Sequence, residues 1–178
     1  EIKSLQQEIF YKRGRPYVKC FVSGVERSLK PEEIVRQLFA RRLVKEYHYP
    51  LNRMAVEKGV YFGSTIHEKR VDIIIYDKEV DDEPRIIVEV KKPKRQDGIE
   101  QLKSYCNTQG SPLGVWTNGS QLEVLYKREK KYFISIPDIP TFDQTLEQII
   151  VEPWTIDKLE KTNKLVTEKK SLKDIILT

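Results

Sequence analysis

Val71-Asp72-Ile73-Ile74-Ile75-Tyr76 and Ile86-Ile87-Val88-Glu89-Val90-Lys91, separated by the polar turn 78–83, decide the fold. Their apolar residues are adjacent rather than alternating, which predicts strands covered on both faces in the middle of a sheet. With a similar run before them, they give three strands at 54–62, 70–77 and 85–92. One acid interrupts each of the two quoted runs. A buried carboxylate is costly unless it is paired, protonated or bound to metal, so Asp72 and Glu89 need a reason to be there.

Upstream, residues 31–48 predict a helix. Pro31 sits in the first turn, where its missing N–H costs little, and Glu32 and Glu33 lie near the positive end of the dipole. Ile34, Val35, Leu38, Phe39 and Leu43 supply the buried face, and Tyr49-Pro50 ends the helix. A second helix is predicted over 97–108, with Asp97 as N-cap, Glu100 three residues on, and Gly110 as its end. Strands at 112–117 and 121–127 flank Asn118-Gly119, a dipeptide suited to a tight hairpin turn. Residues 8–22 read as a hairpin turning at Arg13-Gly14-Arg15-Pro16, with the role of an edge ribbon. From 153 onward, Ile156, Leu159, Leu165, Val166, Leu172, Ile175 and Ile176 have helical spacing and a lysine-rich opposite face.

The resulting fold class is α/β: a mixed central sheet flanked by helices, in the order helix, three strands, helix, two strands, with an N-terminal hairpin and a C-terminal helical tail. The expected organisation is an N-terminal extension over 1–27, a core over 28–130, and a C-terminal extension over 131–178 that leads toward an absent domain. A chain that starts at Glu1 and ends inside an amphipathic pattern suggests a piece of something longer.

At 178 residues the chain has the size of one domain, and its apolar share is large enough to bury a core, which excludes a disordered segment. Lys and Arg outnumber Asp and Glu by 32 to 27, so the net charge of +5 suits a polyanionic partner and equally suits simple solubility. No apolar stretch is long enough to span a membrane and no leader opens the chain, so a soluble cytoplasmic protein is expected. Cys20 and Cys106 lack metal-ligand spacing and read as reduced, buried thiols. His48 and His67 read as structural or surface residues, and Trp116 and Trp154 as core anchors.

The midpoint between residues 77 and 84 coincides with the midpoint between 72 and 89, so a symmetric hairpin sets Asp72 directly across from Glu89. Directly opposed side chains lie about 4.5–5.5 Å apart at Cβ, where like charges repel. Glu89 and Lys91 share a strand face, and Val90 points the other way. Either a divalent cation relieves the crowding or Lys91 neutralises both acids. Oxygen ligands alone favour Mg²⁺ or Mn²⁺, which polarises phosphorus and acidifies a bound water. Lys91 could then orient the attacking water or stabilise charge on the phosphorane. Lys91, Lys92, Lys94 and Arg95 form a basic cluster that suits phosphate contacts, or else a solvated loop.

Val71-Asp72, sixteen residues, then Glu89-Val90-Lys91 resembles the PD-(D/E)XK nuclease signature, without the proline before the aspartate. Gln101-Leu102-Lys103-Ser104-Tyr105 matches the QxxxY element of RecB-type nucleases and of type I restriction subunits, and places Gln101 and Tyr105 on one helical face. The opening helix from Pro31 to Gln37, followed by Tyr49-Pro50, and the strand Val115-Trp116-Thr117-Asn118-Gly119 resemble the type I restriction enzyme R-protein N-terminal family over roughly residues 28–130. The resemblance implies a restriction-endonuclease-like core. It implies Asp72, Glu89 and the Val90 carbonyl as metal ligands, Lys91 as the catalytic lysine, and Gln101, Tyr105, Lys92, Lys94 and Arg95 as nucleic-acid or supporting contacts.

In that superfamily an acid on the first helix often completes the site. Helical spacing puts Glu32 on the side of Phe39 and Leu43 and Glu33 on the opposite side, so Glu32 is the expected catalytic acid, unless it is a solvated, dipole-stabilising residue. The implied activity is Mg²⁺- or Mn²⁺-dependent hydrolysis of double-stranded DNA in a type I-like restriction, or fused restriction-modification, system. The alternative is a non-catalytic nucleic-acid-binding or assembly module that retains the fold. The chain has neither a phosphate-binding G-x-x-x-x-G-K-[ST] loop nor a methyltransferase signature, so motor, methyltransferase and specificity functions are expected in partner domains or subunits.

Overall fold

Ile73, Ile74, Ile75, Ile86, Ile87 and Val88 are each at most 1% exposed, which is what runs without alternation require of central strands. The computed structural model describes residues 2–62, 65–146 and 148, with side chains described for these except 61–68. In chain order the elements are α1 (Ile2–Gln7), β1 (Phe10–Lys12), β2 (Arg15–Lys19), β3 (Glu26–Ser28) and α2 (Pro31–Lys45), then β4 (Met54–Phe62), β5 (Thr65–Tyr76) and β6 (Pro84–Val90). They are followed by α3 (Ile99–Gln109), β7 (Leu113–Thr117), β8 (Leu122–Glu129) and β9 (Tyr132–Ile136). The chain divides into two units, Glu1–Phe142 and Asp143–Thr178, and all of these elements belong to the first. The helices expected from 153 onward, with Trp154, lie outside the described residues, as does the side chain of His67.

Strands β1 to β3 make a small antiparallel sheet, and β4 to β9 make a six-stranded sheet in sequential order. Only the β6–β7 pair in the larger sheet is parallel, because α3 carries the chain back across the face between them. This is the mixed α/β architecture expected, with β9 added beyond the last strand read from sequence. Leu102, Tyr105 and Cys106 of α3 pack on Ile74, Ile87 and Trp116 of the sheet. Side chains alternate along a strand, so Asp72 and Glu89 share the face of Ile74 and Ile87. Cys20 and Cys106 are both free and buried, as expected. Among the described residues no helix is long and apolar enough to cross a membrane.

Three local readings need correction. Ile34 is 36% exposed, because the buried arc of α2 runs roughly 200° from Val35 through Arg36 to Gln37 rather than along an apolar stripe. That arc is wide because α2 is also held from the N-terminal side: Gln37 Oε1 accepts from the Phe21 N–H at 2.8 Å, and Arg41 stacks over the Phe21 ring. The N-cap of α3 is Gly98, not Asp97, which pairs with Arg95 instead. Asn118-Gly119 is not a two-residue turn, since Thr117 pairs with Leu122. The Asn118 Oδ1 accepts from the N–H groups of Ser120 and Gln121 and so stabilises a four-residue connection. The N-terminal hairpin is present where expected, continues into a third strand and is preceded by a short helix.

Gly114 on β7 fixes how closely α3 approaches the sheet. A Cβ there would lie 2.9 Å from the Cys106 Sγ and 3.1 Å from the Leu102 Cγ. Gly114→Ala is therefore expected to lower unfolding free energy in urea by about 1–3 kcal/mol. An unchanged midpoint would refute this account of the packing.

Candidate functional site

The two acids are delivered by strand register. Ile73 pairs with Val88, Ile74 with Ile87 and Ile75 with Ile86, and the same register carried one step further sets Asp72 across from Glu89. The irregularity in the ladder comes only at Tyr76, on the far side of these pairs. The Val90 N–H donates to the Asp72 Oδ2 at 2.8 Å and fastens that carboxylate to the neighbouring strand. Lys91 Nζ donates to the Glu89 Oε1 at 2.5 Å. The Glu89 Oε2 is buried and has no hydrogen-bond partner among the described residues. Asp72, Glu89 and Lys91 thus lie close enough to act on one another's charge.

Sequence reading missed the residue that ties these groups to the first helix. Arg36 is 7% exposed, and one of its terminal nitrogens lies 3.3 Å from the Asp72 Oδ1. The same guanidinium pairs with Glu57 of β4 and with Glu33. Glu33 also accepts from the Gln37 Nε2 at 2.7 Å. Glu33 was expected on the side of α2 away from the sheet, but it is 4% exposed and acts on Asp72 through Arg36. The reason is the wide buried arc, which includes both glutamates. Glu32 is partly exposed and lines an open groove of about 390 Å³ together with Asp72, Arg36, Arg27 and Lys30. A clue to Arg36 was available: helical spacing places it between Phe39 and Ala40 on the buried side.

Burial dominates the electrostatics. It pushes the Asp72 carboxyl up to about 6 against the opposing pull of the Val90 N–H and Arg36. It pushes Glu89 up to about 7, helped by the negative charge of Asp72 and opposed by Lys91. Glu32 raises both acids further. For Lys91, burial favours the neutral amine, but the hydrogen bond and charge of Glu89 outweigh it and hold the ammonium above its ordinary range.

The loop after β6 closes over Glu89 and Lys91. Trp116 Nε1 donates to the Asp97 carbonyl and Asn118 Nδ2 to the Arg95 carbonyl, each at 2.8 Å. Gly98 follows with φ 109°, and a Cβ on it would stand 2.6 Å from the Lys91 Cε and 3.5 Å from the Glu89 Cγ. Gln101 Nε2 donates to the Tyr105 hydroxyl at 2.7 Å, so the two share a helix face. Tyr105 was expected among nucleic-acid contacts. At 1% exposure it has no surface for one and packs in the core cluster with Ile74 and Ile87. Lys92, Lys94 and Arg95 are exposed, but Arg95 is committed to a two-pronged pair with Asp97, at 2.6 Å through each nitrogen. His48 is exposed and carries a positive φ.

Residues 31–140, more than half of the chain, match the family described as type I restriction enzyme R protein N terminus. The chain belongs to that family. The matched span of this R-protein N-terminal domain opens with α2 and includes the central sheet, both acids and Lys91. Among solved structures, it is similar to a fragment of a protein assigned as the HsdR subunit of a type I restriction enzyme from Vibrio vulnificus YJ016, with 19% identity and a TM-score of 0.49. That similarity covers 69% of this chain and 26% of the other, so the chain spans about a quarter of that relative's length. No curated protein matches.

The raised Glu89 pKa has a thermodynamic sign. Its contribution to stability is fully present below the unfolded-state value and is lost as pH rises through about 7. In metal-free buffer, Glu89→Gln should gain stability relative to the wild type by on the order of 2 kcal/mol between about pH 5 and about pH 8. Urea unfolding of both proteins across the range checks it, and a pH-independent difference would refute it.

Proposed function

We propose that this domain is a Mg²⁺- or Mn²⁺-dependent endodeoxyribonuclease of a type I-like restriction enzyme, or of a fused restriction-modification polypeptide, that hydrolyses phosphodiester bonds of double-stranded DNA. The observation that carries the reading is the Glu89 Oε2, buried and without a partner among the described residues, beside Asp72, with Lys91 next to both. A buried carboxylate oxygen with no donor is costly and is well matched to a cation.

The donor set fits a hard ion. Asp72 and Glu89 would hold it together with the Val90 carbonyl, and bound there it would polarise the scissile phosphate and acidify a water. Among the described residues no three His, Cys, Asp or Glu side chains gather into a metal cluster, so two carboxylates would leave the remaining positions to water and substrate oxygens, as Mg²⁺ prefers. Lys91 keeps its proton and presents a fixed positive charge where the attacked phosphorus gains negative charge. Arg36 and the Val90 N–H hold Asp72 in place, and Glu32 adds negative potential from the groove. Gln101 and Tyr105 would be supporting contacts on α3. Lys92 and Lys94 are the members of the basic loop available for phosphates. Motor, methyltransferase and specificity functions would come from other domains or subunits.

A second reading, a non-catalytic nucleic-acid-binding or assembly module, is favoured by one observation: Arg36 and Lys91 already supply a positive charge to each acid. Nicking of supercoiled plasmid by the protein that carries this domain, assembled with its partners, separates the two. Asp72→Asn, Glu89→Gln and Lys91→Ala should each lower Mg²⁺- or Mn²⁺-dependent nicking by about 10²-fold or more while leaving DNA binding in place. Cleavage indifferent to all three substitutions would establish the module reading.

A further inference from the structure

The positive charge of the chain is not spread evenly. Residues 10–30 hold Lys12, Arg13, Arg15, Lys19, Arg27 and Lys30 against one acid, Glu26, an excess of five that equals the net charge of all 178 residues. The rest of the chain is balanced. These six cations fall on β1 to β3 and the step into α2. Lys12 is paired with Glu26 and Arg27 with Glu57, whereas Arg13, Arg15, Lys19 and Lys30 make no ion pair among the described residues. By contrast, the basic loop after β6 gives up Arg95 to Asp97.

The β1–β2 hairpin presents these charges on a stiff support. Its two-residue turn has both Arg13 (φ 48°) and Gly14 (φ 74°) in the left-handed region, the geometry that matches strand twist. Phe10 and Tyr17 stack across the strands with centroids 6.1 Å apart, and Lys12 Nζ lies 5.7 and 6.0 Å from the two ring centroids. Lys12, Arg13, Arg15 and Tyr17 line an open cavity of about 550 Å³, and Tyr11, 71% exposed, points to the other face of the hairpin. Cations beside half-buried, stacked aromatic rings on a rigid ribbon suit a nucleic-acid backbone better than they suit an apolar peptide surface.

The hairpin is also registered to the acids. Tyr17 pairs with Ser28, and Ser28 lines the same groove as Asp72. Arg15 is two residues along β2 and one strand away, roughly 7 Å and 5 Å respectively. Charges recur about every 3.4 Å of axis along one DNA strand, so a strand seated in that groove and running toward the hairpin would reach Arg15 within a few nucleotides. Arg27–Glu57 and Phe21–Gln37 tie the small sheet to β4 and α2 and fix this relation.

We propose that the β1–β2 hairpin is a phosphate-contacting arm that binds the backbone of duplex DNA beside the candidate acids; the choice of DNA as the polyanion rests on the nuclease reading above. Arg13 and Arg15 make the principal contacts. They position the duplex and read no bases.

The test is equilibrium binding of a short labelled DNA duplex to the 178-residue chain, in chelator, as a function of salt. Arg13→Gln with Arg15→Gln should weaken binding about tenfold or more and reduce the slope of log affinity against log salt by about 2. Arg15→Gln alone, which leaves the turn untouched, should reduce the slope by about 1. Lys45→Gln with Lys130→Gln removes the same charge from exposed positions elsewhere and should leave the slope unchanged. Thermal melts of each variant report that the fold is kept. Wild-type affinity and slope in the arginine variants would overturn the arm, as would a wild type that fails to bind DNA or prefers duplex RNA. Plasmid nicking by the acid variants is scored separately. A nuclease that cleaves with an unaltered salt slope in the arginine variants sinks the arm alone, and hairpin-dependent binding with plasmid nicking by the assembled protein indifferent to the acid substitutions sinks the hydrolase alone.

Discussion

The site depends on two carboxylates forced together by strand pairing in a place where water screens them poorly. Register along β5 and β6 is dictated by a core that tolerates no slip, since a shift of one residue would turn Ile74 and Ile87 out of contact with α3. Asp72 and Glu89 therefore cannot move apart without unpacking the sheet. What the fold can adjust is their compensation, and it does so unequally: Asp72 receives a backbone N–H and a guanidinium, whereas Glu89 receives one ammonium and keeps one oxygen bare.

Compensation of Asp72 is shared across three elements. Arg36 gathers Glu33 from its own helix, Glu57 from β4 and Asp72 from β5, and Glu33 leads through Gln37 to the Phe21 backbone. The N-terminal segment is thus connected to the acids by a continuous set of hydrogen bonds and ion pairs. Helix α2 is polar where it meets this segment and apolar at Val35, Phe39 and Leu43.

How much of this was legible in the sequence follows from what each signal depends on. The strands β4 to β6, the register of Asp72 against Glu89, and the sharing of one face by Gln101 and Tyr105 depend on local periodicity, and periodicity is written in the residues themselves. Arg36 was hidden because a cation in an otherwise apolar helical arc looks like a surface residue until its partners, 21 and 36 positions away, are known. Ile34 failed for the related reason that the buried arc of α2 is set by two packing partners, one of which begins before the helix. Asp97 was a plausible N-cap by residue type, but the neighbouring Arg95 claimed its carboxylate and left the role to Gly98. Asn118 was assigned to a tight turn by its dipeptide, although its side chain could equally bridge two N–H groups of a longer one.

Gly98 lies outside every motif, in a loop that reads as a connector. Yet the space its missing side chain leaves is where the Lys91 stem passes on its way to Glu89. Among homologous chains, this position should accept fewer amino acids than the charged residues of the neighbouring loop, and a survey restricted to ionisable positions would overlook it. An engineer who wished to detune the ammonium without altering its charge would find the handle there rather than on the lysine itself.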